Sequence, residues 1–155
     1  GMAALKYGDL SNQASKDYIF DMDRFVSFEG NTGPYILYTI VRIKSILAKA
    51  SELEVQSVCT GDILPAASGV EKDLMLQLSK YNEVIETSFL ELAPHKICQY
   101  VYELANAFNR FYHDTKIIAE ENEKQRASWL SLISLAKDVL TACIDLLGIE
   151  APERM

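Results

Sequence analysis

Tyr35, Tyr38 and Arg42 recur at i, i+3 and i+7, and Ser45 and Lys49 continue the same line. At 3.6 residues per turn this spacing places all five on one helical face. Two phenol rings and a guanidinium in a row can do binding chemistry. The rings are flat surfaces on which an unstacked RNA base can lie, and the guanidinium can stack or make a forked hydrogen bond. A second reading stays open on spacing alone, because aromatic rows also pack beneath a neighbouring helix.

The element that must carry this row opens at Asn31-Thr32-Gly33-Pro34. Asn31 and Thr32 can cap a helix, and Pro34 suits a first turn because the N–H it lacks would go unpaired there. Ile36, Ile40, Ile43 and Leu47 then form an apolar stripe on the opposite side, the mark of a helix lying on a core. Gly30 to Gly33 precedes a helix start and could cradle a phosphate. The Lys-Ser/Thr pair of a nucleotide-binding loop is absent, since Pro34-Tyr35 follows, so capping is the better reading.

The remaining chain is helical in pattern as well. Residues 3–13 predict a short helix expected to fray. Asp17, Asp21, Asp23 and Glu29 lack calcium-loop order and predict a solvated or arginine-paired face around Arg24. From Ser51 to Gly69 the periodicity lapses, with Gly61 and Pro65 punctuating a loop. Glu71 to Ser79 and Asn82 to Leu92 read as two short helices that break near Tyr81-Asn82. Pro94 opens a longer one in which Ile97, Tyr100, Val101, Leu104, Phe108 and Phe111 share a stripe, with Tyr112 at its edge and Lys116 in the following loop. Glu120, Glu121 and Glu123 lead into a last helix from Ala127 to Leu147, apolar on more than one side and closed by Gly148 and Pro152. Five or six helices without an alternating strand predict an all-α bundle.

Composition narrows the function. A chain of 155 residues, 49% hydrophobic, is long enough for one domain with a real core. Neither an apolar run of membrane length nor a leader peptide is read from it. The opening Gly1-Met2 reads as a tag scar, and the chain as a piece of a longer protein. Cys59, Cys98 and Cys143 are far apart without a C-x-x-C pair, which predicts reduced thiols in a cytoplasmic protein. His95 and His113 have no partner at metal-ligand spacing, so no metal site is expected, and no nucleophile, base and acid set suggests catalysis. The net charge of −7 argues against phosphate contacts, yet it is uneven: residues 1–50 carry +1, residues 51–92 carry −6 and residues 93–155 carry −2. The acidic middle can face away from RNA. Recognition would then lean on stacking and base edges.

Three segments carry a family resemblance. They are DYIFDMDRFVSFEGNTGPY at residues 17–35, running on through Tyr38 and Arg42 to Ile46; LAPHKICQYVYELANAFNRFY at residues 92–112; and LLGIEAPERM at residues 146–155. In order and spacing they resemble the C-terminal helical anticodon-binding (DALR-type) domain of the class I arginyl-tRNA synthetases. The likeness covers nearly the whole chain.

The resemblance implies a division into a linker with a short helix over 1–16, following a missing catalytic domain, and an anticodon-binding domain over 17–155. It implies recognition of the anticodon stem-loop of arginine tRNA by Tyr35, Tyr38, Arg42, Tyr112 and Met155, with a looser match at Lys116. The whole enzyme would use ATP and magnesium to join arginine to its tRNA. Neither of the HIGH and KMSKS-type signatures occurs in this chain, so no catalytic residue and no cofactor is expected within it. No membrane or DNA partner is implied. The alternative from another class is a helical protein-interaction module that uses the Tyr35/Tyr38 face.

Overall fold

The computed structural model describes residues 1–53 and 62–155. Cys59 and Gly61 lie outside the described residues. Among the described residues seven helices follow one another: α1 (Met2–Leu10), α2 (Met22–Val26), α3 (Gly33–Glu52), α4 (Gly69–Ser79), α5 (Tyr81–Leu90), α6 (Pro94–Asp114) and α7 (Glu123–Leu146). There is no strand among the described residues, and the all-helical expectation holds. The helix missed in the sequence is α2. Its five residues are too few to show a period, and the Asp21 side chain starts it by accepting a hydrogen bond from the Arg24 N–H at 3.1 Å. Asp17, Asp21, Asp23 and Glu29 are all exposed, the solvated face of the two alternatives expected, and Asp21 adds the capping role.

The centre of the bundle is α3, α6 and α7. Thr32 caps α3, its hydroxyl accepting from the Tyr35 N–H at 3.3 Å, and Pro34 occupies the first turn as read from the sequence. Ile36, Ile40 and Ile43 are fully buried against Val101, Leu104, Phe108 and Phe111 of α6 and Leu130, Ile133, Leu140 and Ile144 of α7 in one continuous core. By length and composition α7 could cross a membrane, although the sequence reading found no such run. Here it is the core helix of the bundle, half of its most apolar window buried by neighbours.

α1 does not fray. Tyr7 is fully buried, with its hydroxyl 2.6 Å from Asn31 Oδ1 and 2.8 Å from the carbonyl oxygen of Cys98. Those contacts are tertiary, which is why the local pattern of residues 3–13 could not show them. α1 also approaches the start of α3 so closely that a Cβ on Gly33 would lie 2.7 Å from the Ala3 carbonyl oxygen. Both ends of the row-bearing helix are thus fixed, one by α1 and the other by the core.

At the far end of the chain, Gly148 adopts φ +71°, and the Ile149 N–H reaches back to the Ile144 carbonyl at 2.9 Å. This closes α7 and turns the tail back over the bundle. Lys6 donates to the Gly148 carbonyl at 2.8 Å, and Lys44 to the Pro152 carbonyl at 3.2 Å and to Glu153 Oε1 at 2.7 Å.

Candidate nucleic-acid interface

α3 and α6 lie side by side, and their facing residues decide what each member of the tyrosine row does. Tyr35 and Tyr38 are three positions apart, so their side chains diverge by about 60° around the axis. α6 leans on the first and leaves the second outside. Tyr35 is half-buried, packed edge-on to Tyr102 with ring centroids 5.9 Å apart. Its hydroxyl donates to Asn106 Oδ1 at 2.6 Å and accepts from Asn109 Nδ2 at 3.0 Å. Burial raises its pKa above the ordinary tyrosine value, against the pull of the Asn109 hydrogen bond and the Arg42 and Arg110 charges. The packed reading of the row therefore applies to Tyr35, while Tyr38 stays exposed.

Tyr38 is 41% exposed and Tyr112, from the last turn of α6, is 40% exposed. Between these helices stands Arg42. Its Cζ lies 4.8 Å from the Tyr38 ring centroid and 5.3 Å from that of Tyr112. Arg42 Nη1 donates to Asn109 Oδ1 at 2.7 Å, and Nη2 to the Tyr38 hydroxyl at 3.3 Å. The ring of Tyr112 is in turn stacked on the buried Phe108, with centroids 6.1 Å apart and planes 20° apart. Phe28, 57% exposed, sets its edge against Tyr38 at 6.3 Å.

A pocket of about 550 Å³ opens beside this cluster. Arg42, Ser45 and Lys49 line it from α3, Tyr112 and His113 from α6, and Lys116 from the loop beyond. No aspartate or glutamate is among its lining residues. In a chain of net charge −7 this is a local reversal of sign. Arg42, Lys49 and Lys116 form no ion pair among the described residues, so no carboxylate neutralises the positive charge at the pocket. A second concavity of about 500 Å³ adjoins it through Thr115 and Lys116 and runs to Trp129 and the start of α4.

The structure thus brings Tyr35, Tyr38, Arg42, Tyr112 and Lys116 together. Met155 is carried differently. It is exposed, two residues beyond Glu153, which is paired with Lys44 on the flank of α3 about 200° around from Arg42. Sequence reasoning missed Asn106, Asn109 and Phe28. The two asparagines fall in line with Tyr102 at i, i+4 and i+7 of α6, a polar row beside the apolar stripe that could have marked them. Among the described residues no three His, Cys, Asp or Glu side chains converge as a metal site would require.

Residues 36–155 match the family described as the DALR anticodon binding domain. The chain is 64% identical to the curated arginine–tRNA ligase of Agathobacter rectalis, over 99% of this chain and 26% of that protein. It is 59% identical to that of Alkaliphilus oremlandii, over 100% of this chain and again 26% of the relative. Among solved structures it superposes on the arginyl-tRNA synthetase of Thermus thermophilus with a TM-score of 0.85 at 30% identity, covering 99% of this chain and 26% of that one. The Plasmodium falciparum arginyl-tRNA synthetase gives 0.82 at 31%, with coverage of 99% and 26%. The chain spans about a quarter of the length of the curated relatives it matches.

Proposed function

Because this chain belongs to the DALR anticodon binding domain family, we propose that it recognises the anticodon stem-loop of arginine tRNA as one module of an arginine–tRNA ligase. The observation that carries the reading is the Arg42 pocket, cationic and free of carboxylates in an acidic protein, with exposed tyrosine rings on two sides. Tyr38 and Tyr112 offer faces for unstacked bases, and the free N–H groups of Arg42 offer donors to a base edge. Lys49, His113 and Lys116 stand where a phosphate would follow. Tyr35 acts from beneath, as part of the support for Arg42. A contact from Met155 rests on the family resemblance alone.

The ligation of arginine, the cytoplasmic location and the use of ATP and magnesium are proposed for the longer protein. The glycine loop before α3 leads into a helix cap, and no carboxylate lines the Arg42 pocket. This module supplies binding energy far from the reacting atoms, which can orient the acceptor end of the tRNA. Steady-state arginylation by the full-length enzyme carrying Tyr38→Ala tests this. The reading expects kcat/KM for tRNA to fall about ten- to a hundredfold, the scale of one lost base stack. Unchanged kinetics would contradict it.

A further inference from the structure

Arg42 is the centre of the site, and from its own helix Tyr38 meets one end of the guanidinium, through a 3.3 Å hydrogen bond and the ring face, which leaves Nη1 to be placed from elsewhere. A long side chain with four rotatable bonds loses considerable freedom when it is held in one place, so something must hold it. The candidate is Asn109, on the neighbouring helix. Its carboxamide carries two donor hydrogens and one acceptor oxygen, and all three sides are committed. Nδ2 donates to the Tyr35 hydroxyl at 3.0 Å and to the Thr39 hydroxyl at 3.1 Å, while Oδ1 accepts from Arg42 Nη1 at 2.7 Å.

The direction of each bond is imposed by the next. Tyr35 gives its hydroxyl hydrogen to Asn106 Oδ1 at 2.6 Å, so it can only accept from Asn109. Thr39 gives its own to the Tyr35 backbone carbonyl at 3.0 Å, so it too can only accept. Both neighbours therefore demand the NH2 side of the amide, and the oxygen is left facing Arg42. Turning the amide over would set Nδ2 against the guanidinium and an oxygen against two lone pairs.

We infer that Asn109 is the positioning residue for Arg42, its amide oriented by Tyr35 and Thr39 so that its oxygen holds the guanidinium against the Tyr38 and Tyr112 rings. One N–H of Arg42 is spent on this hold and one on Tyr38, which leaves the others directed for a ligand. This account rests on the anticodon reading for its purpose, but its physical claim concerns the RNA-free protein. It also gives Tyr35 a role that needs no contact with RNA.

The test begins without RNA. In this 155-residue protein the Arg42 guanidinium should give resolved, slowly exchanging side-chain N–H signals by NMR. Asn109→Leu should abolish them while leaving the backbone spectrum of α3 and α6 in place, and Asn109→Asp, which keeps the acceptor for Arg42 although each hydroxyl must leave its present acceptor to face it, should restore them. Asn109→Ser serves as the smaller variant should the leucine protein fail to fold. Signals unchanged in Asn109→Leu or Asn109→Ser overturn the inference.

The second arm titrates the protein with the anticodon stem-loop of an arginine tRNA and with one whose central anticodon base is changed. Asn109→Leu should weaken the first complex about tenfold, the scale of one charge-assisted hydrogen bond. In an Arg42→Ala background it should weaken it no further, and an additive loss there overturns the claim that Asn109 acts through Arg42. If the unsubstituted protein fails to distinguish the two RNAs, the anticodon reading fails, and the NMR comparison still decides the role of Asn109.

Discussion

Tyr38 and Tyr112 stand on separate helices yet share one cation, with Arg42 Cζ 4.8 Å from the first ring centroid and 5.3 Å from the second. The arrangement depends on α3 and α6 being packed through Ile36, Ile40, Phe108 and Phe111, all fully buried. The apolar core thereby sets the spacing of a polar site on its surface.

The rings should matter to binding and little to folding. Each is about two-fifths exposed, and although Tyr112 stacks on Phe108, truncation at this rim removes less contact than at a fully buried position. Tyr38→Ala and Tyr112→Ala are each expected to weaken anticodon stem-loop binding by about ten- to a hundredfold, as loss of a base stack does. Thermal melts should show both variants folded within a few degrees of the parent. A large fall in Tm for either one would move that ring from the site to the core.

Gly33→Ala should do the reverse. A Cβ there would meet the Ala3 carbonyl oxygen at 2.7 Å, and a backbone atom cannot swing aside as a side chain can. α1 or the start of α3 must shift, at about 1 to 3 kcal/mol, the usual range for overpacking. Urea unfolding measures this directly. A neutral outcome would show that α1 is free to move away from α3.

Alkaline pH should destabilise the fold through its two described thiols. Burial, with Cys143 nearby as a second cause, pushes Cys98 up from 9.0 to about 12, and burial alone pushes Cys143 up to about 12. The thiolate therefore forms in the unfolded chain from about pH 9 but in the folded one only near 12. Their contribution is full below pH 9 and is lost as pH rises from there towards 12. Each thiol should steepen the loss by up to about 1.4 kcal/mol per pH unit. Urea unfolding under reducing conditions between pH 7 and 11 should show that decline, and Cys98→Ala should flatten it. Burial also raises the Tyr7 phenol, which acts in the same direction above pH 10.

Lys44→Ala should free the tail without loosening the bundle. The Lys44 hydrogen bond, and next its charge, hold the Glu153 carboxyl below its ordinary range, although that side chain is fully exposed. Exposed pairs add little to stability. Titration of Glu153 by NMR should move back up towards the ordinary carboxylate value in the variant, with an unchanged Tm. A Glu153 titration that does not move would mean the pair does not form in solution.

Much of this was legible in the sequence, and the limits have physical causes. The apolar stripes of α3 and α6, with Pro34 and Pro94 at their starts, are local signals at helical spacing, and they placed the two helices that build the site. Tyr35 and Tyr38 were indistinguishable because a period reports a face and not what lies against it. α6 covers one ring and not the other, and only the packing shows which. Tyr7 read as part of a fraying segment because its partners, Asn31 and Cys98, are far along the chain. Asn109 was silent for a related reason: an asparagine has no meaning until the donors and acceptors around it are known. Arg42 stood in the spaced row, Tyr112 and Lys116 were singled out by resemblance, and the acid-free pocket that unites them is a property of the fold.

The most direct test of the central claim is a titration of this protein with the anticodon stem-loop of an arginine tRNA, and with one whose central base is changed, at two salt concentrations. Stacking and base-edge contacts should give tighter binding to the first. The salt dependence should be shallow, with a slope of log K on log salt of about −2 for three cations against single-stranded RNA. Equal, weak binding of both RNAs that vanishes as salt is raised would contradict anticodon reading by the Tyr38, Arg42 and Tyr112 cluster.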